Sequence, residues 1–197
     1  MPRPALMFRA PRTKPPTLLP SAQPPMASAN TRIYVMMGVA GSGKTRIGRA
    51  FASALGVPFV EGDDFHPAAN VERMSRGIAL TDDDRAGWLD ALAIRIREAS
   101  DEGTGLVMTC SALKRAYRDL LRAAAPAGRI TFVFLRGAHA LIAERLAARR
   151  GHFMPPALLE SQFATLEEPT ADERVWVSEV SAAPEEIVAS LVSRSEA

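Results

Sequence analysis

The segment Gly38-Val39-Ala40-Gly41-Ser42-Gly43-Lys44-Thr45 satisfies G-x-x-x-x-G-K-[ST] at every fixed position. It stands between an apolar run, Ile33 to Met37, and a helical pattern, Lys44 to Leu55. Glycines at these places let the backbone turn tightly, so that successive N–H groups point inward at an anion beside a helix N-terminus, whose dipole also favours negative charge. Lys44 then reaches the β- and γ-phosphates of a nucleotide, and the Thr45 hydroxyl ligates Mg²⁺. The residues from Gly38 to Thr45 are therefore read as an ATP or GTP phosphate site on a strand–loop–helix unit.

On either side of this unit, short β-rich runs alternate with helical ones, the pattern of βαβ units on a parallel sheet. Strands are expected at Arg32 to Met37, Pro58 to Glu61, Leu106 to Thr109, Ile130 to Leu135 and Arg174 to Val180. Helices are expected near Lys44 to Leu55, Pro67 to Arg76, Asp83 to Ala99, Lys114 to Ala125, Ala138 to Arg150, Pro156 to Leu166 and Pro184 to Ser193. The fold class is α/β: a three-layer domain, with a five-stranded parallel sheet covered by helices on both faces. Trp88, Leu92 and Trp176 read as core packing.

Composition narrows the function. With 197 residues, 47% apolar and 23% charged, the chain is of ordinary globular type and long enough for a core without staples. Cys110 is its one cysteine, so no intrachain disulfide forms and no oxidising compartment is needed. No apolar run approaches the roughly 20 residues that span a bilayer, and the expected setting is soluble and cytoplasmic, with no membrane partner. The basic excess, 24 Lys and Arg against 22 Asp and Glu, belongs to the first 25 residues, where Arg3, Arg9, Arg12 and Lys14 occur without an acid. From Met26 onward acids outnumber bases, which argues against nucleic acid as a partner. Residues 1–30 read as a disordered Pro/Arg-rich extension and 31–197 as the domain that carries the phosphate loop. Among a transit peptide, a basic arm and an extension upstream of initiation at Met26, the last fits best, because the prolines oppose a transit helix and no Sec-type apolar core is present.

The acceptor side is sought beyond the carboxyl ends of the strands, where ligands sit in parallel α/β sheets. The second strand ends in Glu61-Gly62-Asp63-Asp64-Phe65-His66-Pro67-Ala68-Ala69-Asn70. Glu61 and Asp63, two apart, fall on one side of an extended segment; one would hold Mg²⁺ and the other orient or deprotonate an attacking hydroxyl. The alternative is a polar turn whose Asp63 or Asp64 caps a helix. The third strand ends in Cys110-Ser111-Ala112-Leu113-Lys114, followed by Tyr117-Arg118-Asp119. There Cys110 reads as a small buried hydrophobe, and Arg118 either faces the acceptor or lies on a solvated helix face. In Thr81-Asp82-Asp83-Asp84-Arg85 the acids suit a helix start, while Arg85 is free to meet a carboxylate. Arg145, Arg149, Arg150 and His152 surround Gly151, the composition of a lid hinge or of an ordinary helix C-terminus. No Asn-Lys-x-Asp segment follows either asparagine, Asn30 or Asn70, which removes a regulatory GTPase.

Taken in order, Gly38 to Thr45, Gly62-Asp63 with His66-Pro67 and Asn70, Met74 and Gly77 with Leu80, Asp82 and Asp84-Arg85 with Trp88-Leu89, Cys110 to Lys114 with Tyr117-Arg118-Asp119, and Gly151-His152-Phe153 with Ser161-Gln162-Phe163 and Leu166-Glu167 resemble the gluconokinase family of P-loop kinases. The resemblance covers about Ile33 to Pro169. It departs at Arg73, where the family commonly has lysine, and at Ala79, where it commonly has proline. It implies transfer of the ATP γ-phosphoryl to the 6-hydroxyl of D-gluconate. The reading of the residues agrees with it, with Asp63 as base, Lys44 and lid residue Arg149 as catalytic cations, and Mg²⁺ at Thr45 with Glu61 holding it through water. Asp63, His66, Asn70, Arg85, Ser111, Lys114, Arg118 and His152 are then the substrate contacts, with a mobile lid near 149–165. A homodimer is compatible with the family. The rival readings are a shikimate-type kinase, which typically has a glycine cluster where this chain has Cys110 to Lys114, and a nucleotide-binding regulator without turnover.

Overall fold

A computed structural model describes residues 31–148 and 156–197; the expected extension, 1–30, lies outside them. The first strand, β1 (Ile33–Met37), is β-branched or bulky apolar throughout and wholly buried. Its side chains alternate: Ile33, Val35 and Met37 enter one core, Tyr34 and Met36 the other. A strand buried on both faces must sit mid-sheet, and β1 pairs in parallel with β3 (Leu106–Thr109) on one side and β4 (Ile130–Arg136) on the other. A two-residue strand, β2 (Phe59–Val60), and β5 (Trp176–Glu179) complete the order β2-β3-β1-β4-β5, all parallel.

Helix α1 (Lys44–Leu55), ending on left-handed Gly56, lies on one face. There Ile47 and Phe51 meet Ile187 and Leu191 of α7 (Pro184–Ser195) in one core. On the opposite face α3 (Asp82–Asp101) sends in Trp88, Leu92 and Ile96, and α4 (Arg115–Arg122) sends in Tyr117 and Leu121. Of the remaining helices, α5 (His139–Ala148) and α6 (Pro156–Thr165) send Ile142 and Leu159 into the α1 core, and α2 (Ala68–Ser75) buries Asn70. The three-layer architecture expected from sequence is the one observed. Trp176 is half-buried rather than fully enclosed; its ring lies 5.7 Å from that of Tyr34, with the Arg194 guanidinium 4.5 Å above it.

One local expectation fails. The extended segment after β2 stops at Glu61, and Gly62–Phe65 is a 3₁₀ turn, so Asp63 does not share a strand face with Glu61 by a period of two. The turn forms because Gly62 fits against β3: a Cβ there would lie 1.9 Å from the Thr109 carbonyl oxygen. Thr109 secures it, its hydroxyl accepting from Gly62 N–H at 2.9 Å and donating to Glu61.

Candidate active site

At the carboxyl end of β1 the chain turns through Gly38, whose φ of +133° and whose approach to the Leu135 carbonyl exclude a side chain: a Cβ would stand 2.8 Å from that oxygen. Gly41 and Gly43 also have positive φ. Gly43 precedes α1 with no side-chain oxygen capping the helix, so the first-turn amides are left to an external acceptor. Lys44 folds back over the loop, Nζ donating to the carbonyls of Gly38 and Val39 at 3.0 Å each. Burial lowers its pKa, opposed by the nearby negative charges of Asp63 and Glu61. The same field places both acids within electrostatic reach of the loop lysine. The Thr45 side chain, on the first turn of α1, is exposed, and that of Ser42 is fully buried.

The acceptor side assembles around Trp88. Its indole N–H donates to Gly62 O at 2.7 Å, and its ring stacks on His66 with centroids 4.2 Å apart and planes 14° apart. Burial lowers the His66 pKa, with Asp63 opposing and Arg85 assisting, so His66 is a neutral imidazole near pH 7. Asn70 is buried and donates to the Asp84 carbonyl at 2.6 Å. Thr81 and Asp84 form a capping box at the start of α3, the capping role expected of the acids there. Arg73 pairs with Asp84 at 3.4 Å. Arg85, half-buried, has no ion pair among the described residues, while its charge reaches His66, Cys110 and Tyr117.

After β3, the Ser111 carbonyl accepts from Gly38 N–H at 3.2 Å, joining the acceptor loop to the phosphate loop. Lys114 Nζ reaches both oxygens of Asp82 at 2.8 Å, and the Tyr117 hydroxyl donates to the same carboxylate at 2.6 Å. These contacts depress the Asp82 pKa, Lys114 most. Cys110 is buried as expected, its thiol pushed up to about 12 by burial.

Arg118 is a correction. It is neither a substrate contact nor a solvated surface cation: its side chain is 1% exposed. Nε and Nη2 make a bidentate pair with Glu173 at 2.6 and 2.7 Å, and Nη1 donates to the carbonyls of Ala112, Leu113 and Glu167. Its donors are consumed in holding the acceptor loop, where Ala112 has a strained φ of +43°. The partner Glu173 lies 55 residues away in sequence, a pairing no local pattern announces.

The expected lid residues Arg149, Arg150, Gly151 and His152 lie outside the described residues. Arg145, on α5, donates to the Val180 carbonyl at 2.7 Å. Sequence reasoning assigned no role to Gln162, whose Oε1 accepts from Ala40 N–H at 2.7 Å across 122 residues. Its one sequence signal is its place in Ser161-Gln162-Phe163.

A phosphate loop on a central parallel strand, faced by a carboxylate-bearing turn and by hydroxyl and cationic groups after the third strand, defines a P-loop kinase of small molecules. A family model described as an AAA domain matches residues 33–169. The chain is 51% identical over 144 residues to a gluconokinase of Gluconobacter oxydans, covering 73% of this chain and 80% of that one. It is 47% identical over 146 residues to the thermosensitive gluconokinase of Escherichia coli, covering 72% and 74%. The crystal structure of a gluconokinase from Sinorhizobium meliloti superposes with a TM-score of 0.76 at 46% identity, covering 85% of this chain and 95% of that one. The chain belongs to the gluconokinase family.

Proposed function

We propose that this protein phosphorylates D-gluconate at the 6-hydroxyl with ATP, releasing ADP and 6-phospho-D-gluconate. The supporting observation is that the phosphate loop and the Asp63 turn are both fastened at the carboxyl end of β3, through Gly38 N–H to Ser111 O and Gly62 N–H to Thr109 Oγ1, in a member of that family. Asp63 takes the proton of the 6-hydroxyl as its oxygen attacks the γ-phosphorus and the bond to the β-phosphate breaks. Such a step asks mainly for positioning and charge neutralisation. Lys44 supplies the second, and Arg149 of the lid is assigned to the same task. Arg85, in no ion pair among the described residues, is matched to the gluconate carboxylate. Neutral His66, Asn70, Ser111 and the Lys114–Asp82 pair suit its hydroxyls, and His152 is assigned to the closing side.

Mg²⁺ fits the donor set. The exposed Thr45 hydroxyl and the carboxylate of Glu61 are hard oxygen donors, and no cluster of three or more His, Cys, Asp or Glu forms a protein cage among the described residues. That is how Mg²⁺ is ordinarily held, by few protein groups with nucleotide phosphates and water. Bound there, the ion would neutralise developing phosphate charge. No described helix is long and apolar enough to cross a membrane, and an ATP-dependent enzyme with one buried thiol suits the cytoplasm.

ADP release from MgATP, measured with D-gluconate, shikimate, AMP and no acceptor, tests the reading. Stimulation by gluconate alone is expected. Stimulation by another acceptor in its place overturns the substrate, and stimulation by none overturns the enzyme.

A further inference from the structure

The peptide unit joining Val39 to Ala40 is gripped at both ends. Its carbonyl receives Lys44 Nζ at 3.0 Å and the Ser42 N–H at 3.3 Å, and its N–H is taken by the Gln162 side chain. Because Ala40 N–H is a donor, the side-chain atom facing it is the amide oxygen. The Gln162 –NH₂ group is thereby fixed beside the phosphate loop with its hydrogens directed elsewhere, and among the described residues nothing accepts them. The mount is stiff. Leu158 and Leu159 anchor α6 in buried contacts, and Phe163 packs on the α1 core with its ring 4.9 Å from that of His139. His139 also meets Glu160 at 2.6 Å. Glutamine at this point does not cap the anion nest, since the amides at the start of α1 are left free of side-chain caps and Gln162 takes only Ala40.

We propose that Gln162 is a γ-phosphate-sensing residue: anchored on Ala40 through Oε1, it donates an amide N–H to an oxygen of the transferring phosphoryl group. The proposal rests on the loop as an ATP site and not on the identity of the acceptor. A purely structural latch needs only the oxygen, whereas phosphate recognition needs the –NH₂ as well, and Gln162→Glu separates the two. It keeps an acceptor for Ala40 and puts an anionic oxygen where the donor was.

Calorimetric titration of the full chain with MgADP and with the Mg²⁺ complex of a non-hydrolysable β,γ-imido ATP analogue, without acceptor, reads the difference. In Gln162→Glu the analogue should bind at least about tenfold more weakly, the size of one hydrogen bond to a charged group. MgADP affinity should stay within about twofold, because ADP lacks the group that Gln162 senses. Gln162→Ala should weaken the analogue in the same selective way. Equal losses for both nucleotides, or no loss in a folded Gln162→Glu protein, would overturn the proposal. So would tighter analogue binding by Gln162→Ala, which would mean that Oε1 competes with phosphate for Ala40. Failure of the unaltered chain to bind either nucleotide would overturn the ATP site and the proposal together. Failure of gluconate to stimulate turnover would overturn only the acceptor assignment and leave these titrations decisive.

Discussion

Glu173 is held near pKa 2, against an ordinary 4.5, chiefly by its bidentate bond to Arg118. A carboxyl depressed on folding stabilises the protein above its unfolded pKa, and that contribution is lost as pH falls from about 4.5 toward 2. Glu173→Gln should therefore flatten the acid limb of the stability curve in that window. At neutral pH it leaves the Arg118 charge buried without its counter-ion, a loss of about 3–5 kcal/mol. Urea melts of both proteins at pH 7 and pH 3 check the two statements; an unaltered acid limb in the variant would assign acid sensitivity to other carboxyls. Asp63 has a different kind of role. It is exposed on its 3₁₀ turn, so Asp63→Asn should leave the melting midpoint nearly unchanged while kcat falls about 10²- to 10⁴-fold, the usual worth of a general base. Near-normal turnover at saturating gluconate would remove Asp63 as base.

The turn that carries Asp63 is set by the elements around it: β3 behind it through Thr109, and α3 beside it through Trp88. Gly62→Ala would force a Cβ onto the Thr109 carbonyl oxygen, at 1.9 Å, and because that obstacle is strand backbone rather than a flexible side chain it cannot swing aside. The turn must move, and with it Asp63 and His66, while the phosphate loop, with β3 standing between the two, keeps its own contacts. The expected result is a large rise in KM for gluconate and a fall in kcat with MgADP affinity retained, read by steady-state kinetics beside titration; equal loss of nucleotide binding would show that the two sides are not separable. This turn also marks where sequence reasoning runs out. Strands and helices were legible to within a few residues because apolar runs and 3.6-residue patterns are local signals: α1 was read as Lys44 to Leu55 and lies there. A 3₁₀ turn of Gly-Asp-Asp-Phe has no such period, and the spacing of Glu61 and Asp63 alone suggests one side of an extended segment. Arg118 and Gln162 were illegible for another reason, because their partners, Glu173 and Ala40, are 55 and 122 residues distant. Chemistry carried by motif order was readable, and chemistry carried by tertiary pairing was not.

Across the whole molecule, β1 lies between β3 and β4 and, like both of them, feeds both cores, contributing Ile33, Val35 and Met37 to one and Tyr34 and Met36 to the other. It runs without interruption into the phosphate loop, whose Gly38 is in turn bonded to Ser111 after β3. A ligand at that loop thus binds a part of the chain that cannot open locally without disturbing the sheet centre, and its binding energy should appear in global unfolding. For MgATP at a hundred times its Kd, linkage adds about 2.7 kcal/mol. A domain of this size gains about 2–4 °C per kcal/mol, so the midpoint should rise by about 5–10 °C. Lys44→Ala removes the ammonium that meets the phosphates and its bonds to the Gly38 and Val39 carbonyls, so the nucleotide-induced rise should largely vanish. Thermal melts of the two proteins with and without MgATP decide it. A rise that survives in Lys44→Ala would place the binding energy in the loop amides and the helix start, and a midpoint indifferent to MgATP in the unaltered protein would deny the loop its nucleotide.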